Sequence, residues 1–189
     1  LAHTLCTTEG DMTHPLTQPN QANEDLYILL SGDRGLCGGF NANIIRFCHQ
    51  QLMEEDREAS LITIGRKGQQ FFKNREWPIN QYYESISETI NTKTIEDITT
   101  PIMSDYMNQN YANVYFVFNQ FESAVSSKLI KKKLFPLTLD INTQDIKEDG
   151  CILEPSSTDI LDNGIKAYVN FFVYNAFIES NASEQGARM

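Results

Sequence analysis

A glycine-rich stretch is the part of this sequence that could place reactive groups or a phosphate against the backbone. It runs from Gly32 to Asn43 and reads GDRGLCGGFNAN. A dinucleotide-binding turn needs glycines spaced as GxGxxG, and a P-loop needs Gly-Lys-Ser/Thr after its spacer. Neither pattern occurs, because Gly39 is followed by Phe40 and Asn41, and Asp33 would repel a phosphate. A Rossmann-like nucleotide-binding enzyme that uses the Gly32–Gly39 turn is therefore only the alternative interpretation.

The nucleophile in this stretch is Cys37, which lies between glycines and close to a predicted helix start, where a thiol can be reactive. No histidine neighbours it in sequence, so a small residue packed in a tight turn is the favoured interpretation. The four cysteines show no CxxC spacing and no nearby histidine pair, which argues against a zinc site and favours free thiols. We predict no catalytic, cofactor-binding or metal-binding residue.

Charged residues at the turns indicate contacts instead of catalysis. Asp33 and Arg34 either pair locally or face a partner. Arg66 and Lys67 follow Gly65 at a second strand-to-helix turn, where cations oppose the helix dipole, so an interaction role is indicated. The run Lys131 to Lys133 is either a solvated surface or a contact for an acidic partner.

Hydrophobic periodicity supplies the elements that must position these residues. Strands alternate with helices, which predicts an α/β fold, a Rossmann-like three-layer sandwich with a mostly parallel sheet. The predicted strands are residues 25–31, 59–64, 81–85, 113–119 and 134–141; the predicted helices are 43–55, 69–74, 94–110 and a terminal helix from Ser156 or Ser157.

The terminal helix would be about 50 Å long if it ran unbroken to Met189. That length exceeds a small domain, so we expect the helix to continue and the chain to be a fragment. Between Tyr168 and Ile178 it is apolar nearly all round, which requires more than one covering neighbour. The small residues after Glu179 favour close packing against another helix, as in a coiled coil. The expected organisation is 1–8, the remnant of an amino-terminal helix; 9–24, a loop; 25–155, the α/β domain; and 156–189, the terminal helix.

Composition excludes some classes. The chain has 189 residues, 41% hydrophobic and 11% aromatic, which is enough for a core. Its formal net charge of -10 argues against nucleic-acid binding, which needs a basic face. No window approaches the ~18 apolar residues of a membrane helix, so direct membrane insertion is not expected.

Taken together, several ordered segments resemble the gamma subunit of the rotary F-type ATP synthases. Ser31 to Asn41 is similar to that family's most recognisable internal segment, and Gly65-Arg66-Lys67-Gly68 with Phe71-Phe72 to its second. Phe118-Asn119-Gln120-Phe121 is similar to its aromatic-Asn-x-Phe element. The last stretch, Glu179 to Met189, resembles the signature of its carboxy-terminal helix, and Glu154-Pro155-Ser156 the start of that helix. Most of the family's coiled-coil shaft has no counterpart here.

The resemblance implies a central-stalk subunit with no active site of its own. Such a subunit turns inside a hexamer of alpha and beta subunits, binds an epsilon-type subunit and meets the membrane c ring. It implies location at a membrane as part of that complex, on the cytoplasmic face of a bacterial membrane in preference to the matrix side of the mitochondrial inner membrane. The residues then expected at subunit interfaces are Asp33, Arg34, Cys37, Arg66, Lys67, Glu184, Arg188 and Met189.

Overall fold

A computed structural model describes residues 13–84, 89–138 and 157–189 of the chain. The predicted segment 1–8 lies outside the described residues. The elements are a short 3-10 turn at Pro15–Thr17, strands β1 (Glu24–Leu30), β2 (Glu58–Ile64), β3 (Ile79–Tyr83), β4 (Asn113–Ser123) and β5 (Ser126–Phe135), and helices α1 (Phe40–Glu54), α2 (Arg66–Lys73), α3 (Thr92–Met107) and α4 (Ser157–Arg188).

The strands form one five-stranded sheet in the order β3-β2-β1-β4-β5. The first four are parallel, and β5 pairs antiparallel with β4 through a hairpin. β1 lies at the centre and its residues from Asp25 onward are buried. A strand covered on both faces needs a continuous apolar run, which explains the sequence Leu26 to Leu30. The predicted α/β class with a mostly parallel sheet is confirmed.

Alternate residues of β1 point into two separate cores. Tyr27 and Leu29 join the core under α1 and α2, whereas Leu26, Ile28 and Leu30 join the larger core under α3 and α4. α4 contributes an apolar stripe to the larger core: Leu161, Ile165, Val169, Val173, Ala176 and Phe177. Each residue after Leu161 lies three or four positions beyond an earlier member, which keeps the stripe on one helix face. The three-layer arrangement follows from this division.

The strand predicted at residues 134–141 is wrong in position. β5 is Ser126–Phe135, so Lys131 to Lys133 lie within a strand, while residues 139–141 fall outside the described part. Hydrogen bonding decides this: Val117 pairs with Lys131 and Tyr115 with Lys133 across the hairpin. Lysines suit an edge strand because they discourage pairing with another chain.

Helix starts also differ from the sequence prediction. α1 begins at Phe40, not Asn43, and α2 begins at Arg66, not Gln69. α2 follows β2 after the single residue Gly65, whereas α1 follows a nine-residue loop that ends at Gly39, three residues earlier than the apolar pattern shows. Across residues 13–84, 89–138 and 157–189, no helix is long and apolar enough to cross a membrane.

Candidate subunit interface

The predicted interface residues come from three distant parts of the sequence and meet at one end of the sheet. Residues 31–39 leave β1 at its carboxyl end, and Gly65 leaves β2 at the same edge, because parallel strands end on one side. Lys67 donates its backbone N–H to the Gly32 carbonyl oxygen at 3.1 Å. The two turns that sequence patterns predicted separately therefore form one surface, called here the carboxyl-end surface.

Gly65 and Ser31 fix the close approach of the two turns. Gly65 has a φ of 99°, and a Cβ there would lie 2.0 Å from the Ser31 carbonyl oxygen, so a side chain does not fit. Ser31 Oγ accepts the Gly68 N–H at 2.9 Å. The first amides of a helix have no acceptor within the helix itself. The Ser31 hydroxyl supplies that acceptor for the Gly68 amide in α2.

Asp33 explains why two cations can stand at the amino end of α2. Its carboxylate Oδ1 accepts the backbone N–H of Arg66 at 2.9 Å, and the Arg66 guanidinium donates to the Asp33 carbonyl oxygen at 2.9 Å. A carboxylate at a helix start offsets the unfavourable placement of the cations. Asp33 and Arg66 thus join the two turns within the chain.

Asn41, which sequence reasoning did not single out, organises the glycine-rich loop. Its Oδ1 accepts the Gly32 N–H at 2.7 Å, and its Nδ2 donates to the Arg34 carbonyl oxygen at 2.9 Å and lies 3.2 Å from Cys37 Sγ. The side chain is buried in the first turn of α1. An Asn just after a Gly-Gly-Phe helix start is the signal that could have found it, since such side chains bond neighbouring backbone.

The end of α4 completes this surface. Glu184 is buried and its Oε1 accepts from the Arg188 guanidinium at 2.7 Å. This pairing raises the pKa of Arg188. An open groove of about 330 Å³ lies beside the contact of the helix with the loop; its lining residues are Asp33, Arg34, Asn181, Ala182, Glu184, Gln185 and Arg188.

The predicted interface residues differ in their exposure to solvent. Cys37 is only 2% exposed, which agrees with the packed-turn interpretation, whereas Met189 is 93% exposed. Leu36 is 97% exposed and has a φ of 60°. Sequence reasoning missed Leu36, whose exposed apolar side chain in a glycine-rich turn is a feature of contact surfaces. Whether any of these residues contacts a subunit stays a prediction.

The nucleotide-binding alternative can be judged from the same geometry. In open α/β sheets, ligands bind outside the carboxyl ends of the strands where the strand order reverses, which here lies between β1 and β4. A Cβ on Gly32 would lie 3.3 Å from Glu184 Oε1, and one on Gly38 would lie 3.5 Å from the Ala187 carbonyl oxygen. α4 occupies the crevice, and Asn41 uses the Gly32 N–H that a phosphate would need.

A second polar cluster lies near the other end of the sheet, under α1. Tyr27 Oη and Lys131 Nζ each donate to Glu55 Oε1 at 2.7 Å. The hydrogen bond from Lys131 is the main reason that the pKa of Glu55 is lowered. Lys131 Nζ also lies 4.3 Å from the ring centroid of Tyr115, within cation–π range. Lys131 is thus neither a solvated residue nor a free contact for an acidic partner.

Metal chemistry finds no support in the residues described: among them, no group of three or more His, Cys, Asp or Glu side chains could hold a metal ion. Cys37 and Cys48 are free and buried, as expected for reduced thiols, whereas Cys6 and Cys151 lie outside the described residues. Burial raises the pKa of the Cys48 thiol strongly, which keeps it protonated.

Comparison with known proteins identifies the family. Residues 1–189 match the family described as ATP synthase, so the chain belongs to the ATP synthase family. An ATP synthase gamma chain of Pelotomaculum thermopropionicum is 34% identical over 185 residues, which cover 98% of this chain and 65% of that protein. One of Geotalea uraniireducens is 37% identical over 178 residues, covering 93% and 62%. The chain spans slightly under two thirds of the length of these relatives.

Solved structures show the same fold. A chain from the central stalk and c ring of the Tetrahymena thermophila mitochondrial ATP synthase matches with a TM-score of 0.72 at 22% identity, covering 91% of this chain and 76% of that one. A chain from a Euglena gracilis mitochondrial ATP synthase matches with a TM-score of 0.61 at 20% identity, covering 89% and 59%. The resemblance to gamma subunits seen in the sequence is confirmed.

Proposed function

We propose that this chain is the globular part of the central-stalk rotor subunit of an F-type ATP synthase. The observation that carries the proposal is the similarity to ATP synthase gamma chains along 93% or more of this chain, at 34% and 37% identity. In that role the subunit couples ion-driven rotation to ATP synthesis or hydrolysis in a hexamer of alpha and beta subunits. It carries no catalytic residue itself.

Three features of the fold support a mechanical role over an enzymatic one. The crevice that binds nucleotides in related sheets holds the end of α4, as the contacts of Gly32 and Gly38 show. The hydrogen-bond partners of Cys37 are the Arg34 carbonyl and the Asn41 amide, neither of which is a general base. Two packed cores and a central buried strand make the domain resistant to deformation.

The proposed partners are the alpha and beta subunits, an epsilon-type subunit and the membrane c ring, with the complex on the cytoplasmic face of a bacterial membrane. The carboxyl-end surface is the proposed contact region. Arg34 and Leu36 are exposed there, and the exposed Met189 follows the last residue of α4. An exposed apolar residue on a surface that also carries charged side chains suits a contact that forms and breaks as the rotor turns.

Reassembly of the complex tests this function. The full reading frame would be co-expressed with the alpha and beta subunits of its own organism, and ATP hydrolysis and bead rotation would be measured. We expect the chain to copurify with the hexamer and to support ATP-driven rotation. A hexamer that neither binds the chain nor rotates with it contradicts the proposal.

Calorimetric titration of the chain with ATP and NAD separates this function from the alternative. We expect no saturable heat for either nucleotide, because α4 fills the crevice. Micromolar binding that Gly38→Trp abolishes would instead favour the nucleotide-binding enzyme. Gly35→Ala is the matched control, since a Cβ at that position would meet only Lys67 Nζ, at 3.9 Å.

A further inference from the structure

The last turns of α4 pass between two loops of the domain. On one side is the glycine-rich loop, and on the other is the tip of the β4–β5 hairpin around Ala124. We call the contacts of Gly32, Gly38 and Ala124 with Glu184, Gly186 and Ala187 the helix clamp. It lies beyond the last apolar core residue of the helix, Phe177, so it holds a part of α4 that the hydrophobic core does not.

The hairpin side of the clamp is a backbone-to-backbone contact. A Cβ added to Gly186 would lie 2.7 Å from the Ala124 carbonyl oxygen and 3.3 Å from its carbonyl carbon. Gly186 is therefore required by close approach and not by its backbone angles, since helix interiors otherwise disfavour glycine. A groove of about 260 Å³ continues beside this contact, lined by Ser123, Ala124, Val125, Ser126, Ser127, Ser183, Gly186 and Ala187.

The loop side of the clamp is looser, because a Cβ on Gly38 would lie at an ordinary contact distance of 3.5 Å and the contact of Gly32 is with a side chain. Gly38, with a φ of 54°, faces the Ala187 carbonyl oxygen, and Gly32 faces the Glu184 carboxylate. Asn41 holds Gly32 from behind through the amide hydrogen bond of 2.7 Å. Both loops are thus fixed in the domain, Gly32 by Asn41 and the hairpin by its pairing along β4 and β5.

Contacts made by backbone atoms have a mechanical consequence. Long side chains absorb small displacements by changing rotamers, whereas backbone atoms in van der Waals contact leave no such freedom. Rotation of the α4 end against the domain must therefore move the hairpin with it, since the Gly186–Ala124 contact is the one made by backbone atoms at close range. The clamp is a stiff joint, and its position at the end of the longest helix in residues 13–84, 89–138 and 157–189 gives it leverage.

We propose that the helix clamp is the joint through which torque passes between α4 and the globular domain, with Gly186 as its positioning residue. This inference rests on the proposed rotor function. It assigns to Gly186 a role that neither nucleotide binding nor chain reversal explains, because Gly186 lies within α4 and not in a turn. The clamp stays closed throughout rotation.

The first test opens the clamp with Gly186→Val in the reassembled membrane complex. Overpacking a filled contact changes a two-state equilibrium by about five- to hundredfold. We therefore expect the ratio of ATP-driven ion pumping to ATP hydrolysis to fall by about that factor. Ala167→Val is the matched control, because it adds a branched side chain at an exposed position of the same helix, and it should keep the wild-type ratio.

The outcomes separate the two proposals. A wild-type complex that neither assembles nor pumps contradicts the rotor function. A wild-type complex that pumps, together with a Gly186→Val complex of equal coupling ratio, overturns the clamp alone. A merely structural role for Gly186 would lower the amount of complex without changing the ratio per complex.

A second variant keeps the clamp testable if Gly186→Val does not fold. Ala124→Cys with Ala187→Cys places two thiols on the groove beside the joint, and oxidation should lock the hairpin to the helix. A joint that stays closed during rotation tolerates the lock, so the oxidised complex should pump like the reduced one. Loss of pumping on oxidation, restored by reduction, would show that the clamp must open and would overturn the inference.

Discussion

The two ends of the sheet are held together by different kinds of contact. At the carboxyl ends, glycines allow backbone to meet backbone, as at Gly65 against Ser31 and Gly186 against Ala124. Near the amino ends, side chains form the network of Tyr27, Glu55 and Lys131 under α1. Steric contacts fix a shape regardless of pH and salt, whereas a partly exposed charge network is tuned by both. The stiff end is the one proposed to meet partners.

The largest expected loss of folding stability follows substitution of Gly65. Gly65→Ala should destabilise the chain by about 3 kcal/mol or more, because the new Cβ overlaps Ser31 and the positive φ disfavours alanine. Urea unfolding followed by circular dichroism measures the change. Gly35→Ala, with open space around it, should cost less than about 0.5 kcal/mol. Equal costs at the two glycines would contradict a sterically built carboxyl end.

Asn41→Ala should have the next largest effect and lower the free energy of unfolding by about 2 kcal/mol. The buried Gly32 N–H would lose its acceptor, and the Arg34 carbonyl would lose its amide donor. Hydrogen exchange of the Gly32 amide should accelerate more than global unfolding alone accounts for. Gln50→Ala on the exposed side of α1 serves as control. If the Gly32 amide stays protected in the variant, Asn41 does not organise the loop.

At the other end of the sheet, Lys131→Met should lower the free energy of unfolding by about 1 kcal/mol. The loss is small because the ion pair with Glu55 is partly exposed. The folded-state pKa of Glu55 is lowered from the ordinary 4.5, so its stabilisation is present above that value and is lost as pH falls through the lowered pKa. The variant should lose stability less steeply in acid than the wild type. Lys132→Met changes an exposed neighbouring residue and should leave the loss of stability in acid the same as in the wild type.

The smallest effect is expected at Asp25, which is 1% exposed and accepts from Asn113 Nδ2 at 2.9 Å. Burial raises its pKa, so the folded state favours the protonated form and the stability contributed by this group rises as pH falls through the raised value. Asp25→Asn should therefore raise Tm slightly at pH 7 and less at pH 4. A lower Tm at pH 7 would mean that the charged form is preferred after all.

The sequence predicted the sheet well because its strands are short apolar runs between turn signals, as in Leu26 to Leu30. It placed β5 wrongly because Lys131 and Lys133 make that strand look solvated, although Lys131 folds over the rings of Tyr27 and Tyr115. It missed Asn41 because a single buried amide has no periodic pattern. It predicted Arg66 as an interaction residue, and the structure places its guanidinium on the Asp33 carbonyl within the chain.

By itself, the sequence determined the α/β class, the long terminal helix and the family resemblance, since all three depend on local patterns and ordered motifs. Tertiary structure alone decided that Asp33, Arg66 and Glu184 belong to one surface, because parallel strands bring the turns that follow them to a common edge. It also decided why Gly186 must be glycine. That reason is a contact with Ala124, and a contact between residues far apart in sequence leaves no periodic trace in either segment.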